Sequence, residues 1–242
     1  LERQRAEAER QLLLQELRMR EDFTAMLAHD LRNPLSGILA TMELLELKSP
    51  DRPVRQMAQT VLQAVQFMLE LIGDMLDLAR AETGHLTLKR QAVSLEDILS
   101  SLLELAGPAC EQKGLLLEVE RAGLPSLQGD ALKLKRAMHN LLTNAIKFSP
   151  PGGRIRVTLA AVTEAGQSSQ QFQVRDEGPG VLPEEEALLF RKYTRLNAGA
   201  SQGTGLGLAI AKAVVEAHGG RIGYLRPDDG FGSIFYFRIP ET

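Results

Sequence analysis

Leu134-Lys-Arg-Ala-Met-His-Asn140-Leu-Leu-Thr-Asn144-Ala-Ile-Lys147-Phe148 is the stretch of sequence from which the fold of this chain follows. A helix is predicted over Asp130–Lys147, and Asn140, Asn144 and Lys147 are spaced three or four residues apart on one face of it. Asparagine lowers helix propensity, so two on one face need a compensating role. An amide oxygen can ligate Mg²⁺ and a lysine can neutralise phosphate. A solvated polar face is the alternative interpretation.

A glycine run lies downstream of this helix. Gly203-Thr-Gly205-Leu-Gly207-Leu208 precedes a second strongly helical run, predicted over Gly205–His218. Glycines let backbone N–H groups approach phosphate closely, and a helix N-terminus adds partial positive charge. A Rossmann turn would need a preceding strand, whereas a loop precedes this run, and the Gly-Lys-Ser/Thr ending of a P-loop is missing.

A carboxylate at the end of a predicted strand lies between these two helices. In Gln173-Val-Arg-Asp176-Glu-Gly178-Pro-Gly180, the strand closes on Asp176 and then turns on two glycines. Such a carboxylate can accept a hydrogen bond from an exocyclic amine such as that of adenine. A plain strand-terminating turn is the alternative for this motif taken alone.

Around these motifs, short β-like runs alternate with helical ones after Gly84, which predicts an α+β sandwich. A third helix is predicted over Ser94–Cys110, and Val181–Gly203 is interpreted as a partly mobile loop. The predicted strands are Leu86–Lys89, Leu115–Glu120, Arg154–Ala161, Gln171–Asp176, Arg221–Tyr224 and Ser233–Ile239.

Upstream, one long helix is predicted over Leu1–Leu47 and a second helix follows the short Ser49–Pro53 connection. Each carries an apolar stripe, so the two are expected to form an antiparallel hairpin. Because a hairpin cannot hide both stripes, two copies are predicted to pair as a four-helix bundle, giving a homodimer. The stripes comprise Leu27, Leu31, Ile38, Met42 and Leu45, then Val54, Met57, Val61, Val65, Met68, Ile72, Met75 and Ala79.

His29 lies on the first helix, about 200° around the helix from Leu27 and from Leu31, and so is predicted to face solvent. A polar strip follows on its face, and Pro34 should bend the helix beside it. Taken alone, an ordinary surface histidine beside a tolerated proline is the simpler interpretation.

The composition excludes several classes of protein. A formal charge of −3 over 242 residues, with both signs well mixed, gives no field that favours nucleic acid. The single cysteine, Cys110, excludes an intramolecular disulfide framework and fits a reducing cytoplasm. No apolar run reaches the ~20 residues of a membrane-spanning helix, and the start at Leu1 indicates a fragment. The missing part could hold a sensor region and a membrane anchor.

Together these motifs resemble those of the sensor histidine kinases of bacterial two-component systems. Their ATP-binding domain, the Bergerat or GHKL type, is shared with HSP90, DNA gyrase B and MutL. The likeness runs from Phe23 to Pro240. It rests on five boxes in order: His29-Asp-Leu-Arg-Asn-Pro-Leu (H box), Asn140–Lys147 (N box), Asp176–Gly180 (first glycine box), Phe190-Arg-Lys-Tyr193-Thr-Arg195 (F box) and Gly203–Leu208 (second glycine box).

The resemblance implies roles for single residues. His29 would be the phosphoacceptor and attack the γ-phosphorus of ATP through Nε2, while Asp30 binds Nδ1–H and keeps Nε2 unprotonated. Asn33 would orient water during dephosphorylation of the partner, and Asn144 would bind Mg²⁺. The implied nucleotide-binding residues are Asn140, Asn144, Lys147, Phe148, Asp176, Gly178, Gly180, Arg191, Lys192, Gly203, Thr204, Gly205, Leu206, Gly207 and Leu208.

The resemblance also implies three regions: a coiled-coil-like signalling helix over residues 1–22, a dimerisation and histidine phosphotransfer domain over 23–84, and a catalytic ATP-binding domain over 85–242. The expected function is ATP-dependent autophosphorylation of His29 and phosphotransfer to an aspartate of a response-regulator receiver domain, together with phosphatase activity toward that regulator. The alternative is a conformational ATPase resembling HSP90 or gyrase B. Those relatives use a glutamate in the region of Asn140, and an amide cannot act as that general base. A non-catalytic dimeric scaffold is the third interpretation.

Overall fold

The computed structural model describes residues 2–83, 86–164, 166–194 and 205–241. The chain divides into two compact units, residues 1–86 and 87–242. The first unit consists of helix α1, Glu2–Lys48, and helix α2, Arg52–Glu82. Helix α1 continues through Pro34. No helix within the described residues combines the length and apolar character that a bilayer crossing requires.

The helical hairpin buries only part of its apolar surface. Where α1 and α2 face each other, small and branched side chains are buried, among them Ala28, Ala58 and Val65. A neighbouring stripe on both helices stays exposed in the single chain and contains Leu27, Leu31, Ile38, Leu45, Met57, Val61, Met68 and Met75. This stripe includes most of the apolar positions predicted from periodicity to face a second copy.

The second unit contains three α-helices, a short 3₁₀-helix and seven strands among its described residues. The helices are α3, Leu95–Lys113; α4, Ala131–Phe148; α5, Gly207–Ala217; and the 3₁₀-helix, Pro183–Leu188. The strands are β1, Gln91–Val93; β2, Leu116–Arg121; β3, Leu127–Gly129; β4, Arg154–Glu164; β5, Gln167–Asp176; β6, Arg221–Leu225; and β7, Ser233–Pro240.

Five strands form one mixed sheet in the order β2-β4-β5-β7-β6, in which only the β2–β4 pair is parallel. Alternate residues of its central strands are buried, such as Val157, Phe172 and Phe237, and their neighbours are polar. All three α-helices pack on the buried face, so the unit is a two-layer α+β sandwich, as predicted. Strands β1 and β3 pair separately as a short antiparallel ladder.

Local sequence signals determine where these helices begin and end. Ser94 caps α3 by accepting a hydrogen bond from the Asp97 N–H at 3.1 Å, and Gly114 ends it in the left-handed conformation. Asp130 caps α4 in the same way through the Lys133 N–H, also at 3.1 Å.

Two predictions about secondary structure need correction, and one short pair of strands was not predicted. The strand predicted over Leu86–Lys89 is wrong: these residues are irregular, because the Lys89 N–H donates to the Asp130 carboxylate rather than to a neighbouring strand. The ladder begins instead at Gln91, opposite the unpredicted strand β3. The segment over Val181–Gly203 contains the 3₁₀-helix Pro183–Leu188, so it is not loop throughout, and its residues 195–203 lie outside the described part.

Candidate functional site

Helix α4 has one apolar face in the core and one polar edge. Leu134, Met138 and Leu141 are fully buried beneath the sheet, whereas Asn140 and Asn144 are half-buried on successive turns. The Asn140 Nδ2 amine is buried and has no hydrogen-bond partner in the described structure. A buried donor without a partner is costly unless a ligand or water satisfies it, so this amide is suited to holding a ligand.

The second glycine box lies directly against this polar edge. A side chain at Gly207, the first residue of α5, would begin 3.2 Å from the Asn140 Oδ1 atom. The N-cap residue of α5, Leu206, offers no side-chain acceptor to the N–H groups of the first turn. The N-terminus of α5 therefore lies against Asn140, and the partial positive charge of a helix N-terminus favours an anionic group beside this contact.

The first glycine box adjoins the C-terminal end of α4. Asp176, the last residue of β5, is only 3% exposed, and its Oδ1 accepts the Gly178 N–H at 2.7 Å. A side chain at Gly178 would begin 2.7 Å from the Asp176 Oδ1 atom and 3.0 Å from the Phe148 carbonyl oxygen, so it would displace the carboxylate from its present position. The turn thus joins the carboxylate to the C-terminal end of α4.

Burial raises the pKa of the Asp176 carboxyl to about 6, and the backbone N–H groups of Gly178 and Ser233 lower it in part. At neutral pH the group is therefore a buried carboxylate with acceptor capacity for a donor that enters the site. Gly232 contributes as well, with φ of +81° and its backbone packed against that of Asp176. Gly232 was not among the predicted site residues. The signal for its role was the glycine pair before β7.

The F box is anchored to the same region. The Phe190 ring packs edge-on against Phe235 of β7, with ring centroids 6.5 Å apart. Two residues of this box meet the second glycine box: a side chain at Gly205, where φ is +70°, would begin 2.8 Å from the Thr194 carbonyl oxygen and 2.9 Å from the Tyr193 carbonyl carbon. Only glycine fits there.

Other predicted nucleotide-binding residues fall around this cluster. Lys147 and Phe148 end α4, where the lysine ammonium lies 5.0 Å from the Phe148 ring centroid. Gly180 has φ of +73° and lies beside the Gly232 carbonyl. Arg191 is exposed and Lys192 half-buried, while Leu208 lies in the first turn of α5. Gly203, Thr204 and Arg195 lie outside the described residues.

The predicted phosphoacceptor lies in the first unit. His29 is exposed, with 70% of its side chain accessible, and its Nδ1 atom lies 3.3 Å from Oδ1 of Asp30, which is 66% accessible. Asn33 is also exposed one helical turn further on. If Nδ1 donates to the carboxylate, Nε2 carries the lone pair and faces solvent. The structure therefore brings the N, F and glycine boxes together in the second unit and presents the H box on the first.

Both units match known families. Residues 19–84 match the His Kinase A (phospho-acceptor) domain, and residues 129–242 match the histidine kinase-, DNA gyrase B-, and HSP90-like ATPase family. A solved structure of mycobacterial sensor histidine kinase MprB is 32% identical to the chain. It aligns with 62% of this chain and 97% of that one at a TM-score of 0.54. The chain belongs to the sensor histidine kinases of two-component systems.

Longer histidine kinases are also similar. The virulence sensor protein BvgS of Bordetella parapertussis is 32% identical over 85% of this chain and 17% of its own length. Kinase/phosphatase MprB of Mycobacterium avium is 34% identical over 88% of this chain and 41% of its own. Full-length ShkA in complex with AMPPNP is 30% identical and covers 91% of this chain and 46% of its own, with a TM-score of 0.74. The chain thus spans less than half the length of these relatives.

Nucleotide affinity should depend on pH through Asp176. Because its pKa is about 6, the ionised form becomes scarce below that value. The Kd for a non-hydrolysable ATP analogue should rise about tenfold between about pH 7 and about pH 5. Asp176→Asn does not titrate and controls for ionisation of the nucleotide phosphates. Parallel calorimetric profiles for the two proteins would show that this carboxylate does not contact the ligand.

The same carboxyl should affect stability in the opposite direction. Its folded-state pKa of about 6 is above the ordinary value of 3.8, so the folded protein binds the proton more tightly than the unfolded chain does. The free energy of unfolding without nucleotide should therefore increase, relative to Asp176→Asn, as the pH falls through about 6. Urea unfolding at several pH values measures this, and a relative decrease would contradict it.

Proposed function

We propose that this chain binds ATP, transfers its γ-phosphoryl group to His29 and passes that group to an aspartate of a response-regulator receiver domain. The observation that carries the proposal is that helix α4 adjoins two features: Gly207 lies against its Asn140, and the turn that holds Asp176 lies against its C-terminal residue Phe148. It supplies an anion-binding helix terminus and a buried acceptor in one unit. The exposed His29–Asp30 pair in the other unit supplies a nucleophile. ShkA, which is 30% identical, has been crystallised with AMPPNP, and MprB of Mycobacterium avium is named a kinase/phosphatase.

In the nucleotide site, the Asp176 carboxylate would accept a hydrogen bond from the exocyclic amine of adenine, and this interaction would select the base. The backbone N–H groups from Gly205 to Leu208 would bind the phosphates at the N-terminus of α5. Lys147, with Arg191 and Lys192, would add positive charge. Mg²⁺ fits the amide oxygen of Asn144 and, when bound, would neutralise phosphate charge.

The phosphoryl transfer itself uses the two nitrogens of His29 differently. The Nε2 lone pair forms a bond to the γ-phosphorus while the bond from that phosphorus to the bridging oxygen breaks, and ADP leaves with the electron pair. The imidazole gains positive charge, which the Asp30 carboxylate at Nδ1 stabilises. Transfer to a receiver aspartate then breaks the N–P bond, forms an acyl phosphate and restores the neutral imidazole.

Hydrolysis of ATP to water by the same site is disfavoured. Asn140 occupies the region where the HSP90-like and gyrase-like ATPases place a glutamate, and an amide has no basic site with which to activate water. A non-catalytic scaffold would have no need for the buried carboxylate, whose desolvation destabilises the fold.

The exposed apolar stripe supports a homodimer through residues 23–84, with residues 1–22 as a signalling helix and 85–242 as the catalytic region. In such a dimer the stripes of two hairpins would close a four-helix bundle. We infer that a sensor region, which the longer relatives have room for, controls this bundle. We also propose that the chain dephosphorylates the regulator, with Asn33 orienting the water. Its location would be the cytoplasm, where ATP is supplied.

Incubation with γ-labelled ATP tests the proposal directly. A label on the protein that is labile in acid and stable in alkali is expected for a phosphorylated histidine. Release of free phosphate with no protein label would indicate an ATPase, and neither product would indicate a scaffold.

Substitutions at Asp30 and at His29 should affect autophosphorylation differently, since the first should slow it and the second should abolish it. Asp30→Asn should keep ATP binding but slow autophosphorylation about 10²–10⁴-fold, because an amide stabilises developing imidazolium charge poorly. His29→Gln should form no phosphorylated product, since no nucleophilic nitrogen remains. Initial rates of label incorporation at saturating ATP measure both. Wild-type rates for Asp30→Asn with an intact dimer would show that this carboxylate is only a surface charge.

Self-association should depend on the exposed stripe of α2. Met68 belongs to the stripe, whereas Gln66 is exposed on another side of the same helix. Met68→Lys should raise the dimer dissociation constant by about tenfold or more, because a charge would be placed in an apolar interface. Gln66→Lys is the matched control and should leave it unchanged. Sedimentation equilibrium distinguishes them, and equal dissociation constants would place the interface elsewhere.

A further inference from the structure

His218, at the C-terminal end of helix α5, is a buried histidine with both ring nitrogens engaged. Only 4% of the surface of this residue is exposed to solvent. Nε2 accepts the backbone N–H of Asp130 at 2.9 Å, and Nδ1 lies 2.8 Å from the Val214 carbonyl oxygen. A backbone N–H can only donate and a carbonyl can only accept. These two partners therefore fix a neutral imidazole with its proton on Nδ1.

Asp130, the hydrogen-bond partner of His218, forms a junction between three segments of the chain. Asp130 caps helix α4 through Oδ1, and its Oδ2 accepts the N–H of Lys89 at 3.0 Å. One buried residue therefore connects the start of α4, the irregular segment before β1 and the end of α5. Space at this junction is tight, since a side chain at Gly129 would begin 3.2 Å from the His218 Cδ2 atom.

Helices α4 and α5 meet at two points along their length. Gly207 faces Asn140 at the beginning of α5, and His218 bonds to Asp130 at its end. The ten steps from Asp130 to Asn140 rise about 15 Å and the eleven steps from Gly207 to His218 rise about 16.5 Å, so the two spans match. The contact at His218 thereby sets the register of the two helices whose other contact lies in the nucleotide site.

We propose that His218 is a positioning residue for nucleotide binding: its neutral ring ties α5 to the N-cap of α4 and fixes the spacing between Gly207 and Asn140. The proposal rests on the function proposed above, because it assigns the Gly207–Asn140 contact to the nucleotide site. It extends the site to a residue that touches neither phosphate nor base.

Protonation of His218 should break its hydrogen bond with Asp130, because an N–H on Nε2 would then face the backbone N–H of Asp130. The groups that bear on this titration are Arg90 before β1, and Asp130 and Lys133 on α4. Burial, the main cause, lowers the pKa of His218. The hydrogen bond to the Val214 carbonyl and the Asp130 carboxylate raise it in part, and the two cations lower it further. Since the folded-state pKa lies below the ordinary value of 6.5, this contribution to stability is present above that value. It is lost as the pH falls toward the folded pKa.

Three variants of the full chain test the proposal by calorimetric titration with a non-hydrolysable ATP analogue. His218→Phe removes both hydrogen bonds and should bind about three- to tenfold more weakly at neutral pH. His218→Gln can accept from Asp130 without titrating and should bind within about twofold of wild type. His139→Gln, at an exposed position on α4, controls for loss of an imidazole and should match wild type.

A pH series gives the second readout. Below neutral pH, the wild-type Kd should rise more steeply than that of His218→Gln, and titration of Asp176 and of the analogue cancels because both proteins share it. Equal profiles, or normal affinity in His218→Phe, would overturn the role of His218 while leaving the nucleotide site intact. Failure of the wild-type protein to bind the analogue at any pH would instead overturn the proposed function. If His218→Phe does not fold, the pH comparison with His218→Gln still decides the matter.

Discussion

Burial of one face of helix α4 is the constraint on which the second unit depends. Leu134, Met138 and Leu141 are fully enclosed between that helix and the sheet, so the helix cannot rotate without exposing them. The same packing holds its polar edge outward, with Asn140 and Asn144 on consecutive turns. The ends of α4 are held separately: Asp130 caps its start, and the Lys113 ammonium donates to the Ile146 and Lys147 carbonyls at its end, both at 2.8 Å. A rigid core therefore positions polar groups that contribute little to its stability.

The site also contains features that oppose stability and are explained by ligand binding. Asp176 is a carboxylate in a buried position, and desolvation raises its pKa to about 6. The Asn140 Nδ2 amine has no partner within the described structure. A ligand would give the Asn140 amide its missing partner and the Asp176 carboxylate a further one, and the two groups lie near opposite ends of the polar edge of α4. A base at one end and phosphates at the other would satisfy them together.

Sequence patterns predicted most of this arrangement because the elements that carry it are long and regular. The two hairpin helices and the three helices of the sandwich follow from periodicity and capping residues such as Ser94 and Asp130. Three-residue strands such as Leu127–Gly129 are too short for alternation to be visible, and the Leu86–Lys89 alternation had no strand to pair with. The Asp130–His218 hydrogen bond joins residues 88 positions apart, so no local pattern could reveal it. The role of Gly232 depends likewise on its contact with Asp176.

The central claim is that Asp30 holds Nδ1 of His29 so that Nε2 receives the γ-phosphoryl group. The most direct test is ¹⁵N and ³¹P NMR of the protein phosphorylated with ATP, with its imidazoles labelled with ¹⁵N, because the coupling shows which ring nitrogen bears phosphorus. We expect a single phosphorylated residue, His29, bonded through Nε2, with Nδ1 remaining the hydrogen-bond donor to Asp30. Phosphorus on Nδ1 of His29, or on any other residue, would contradict it.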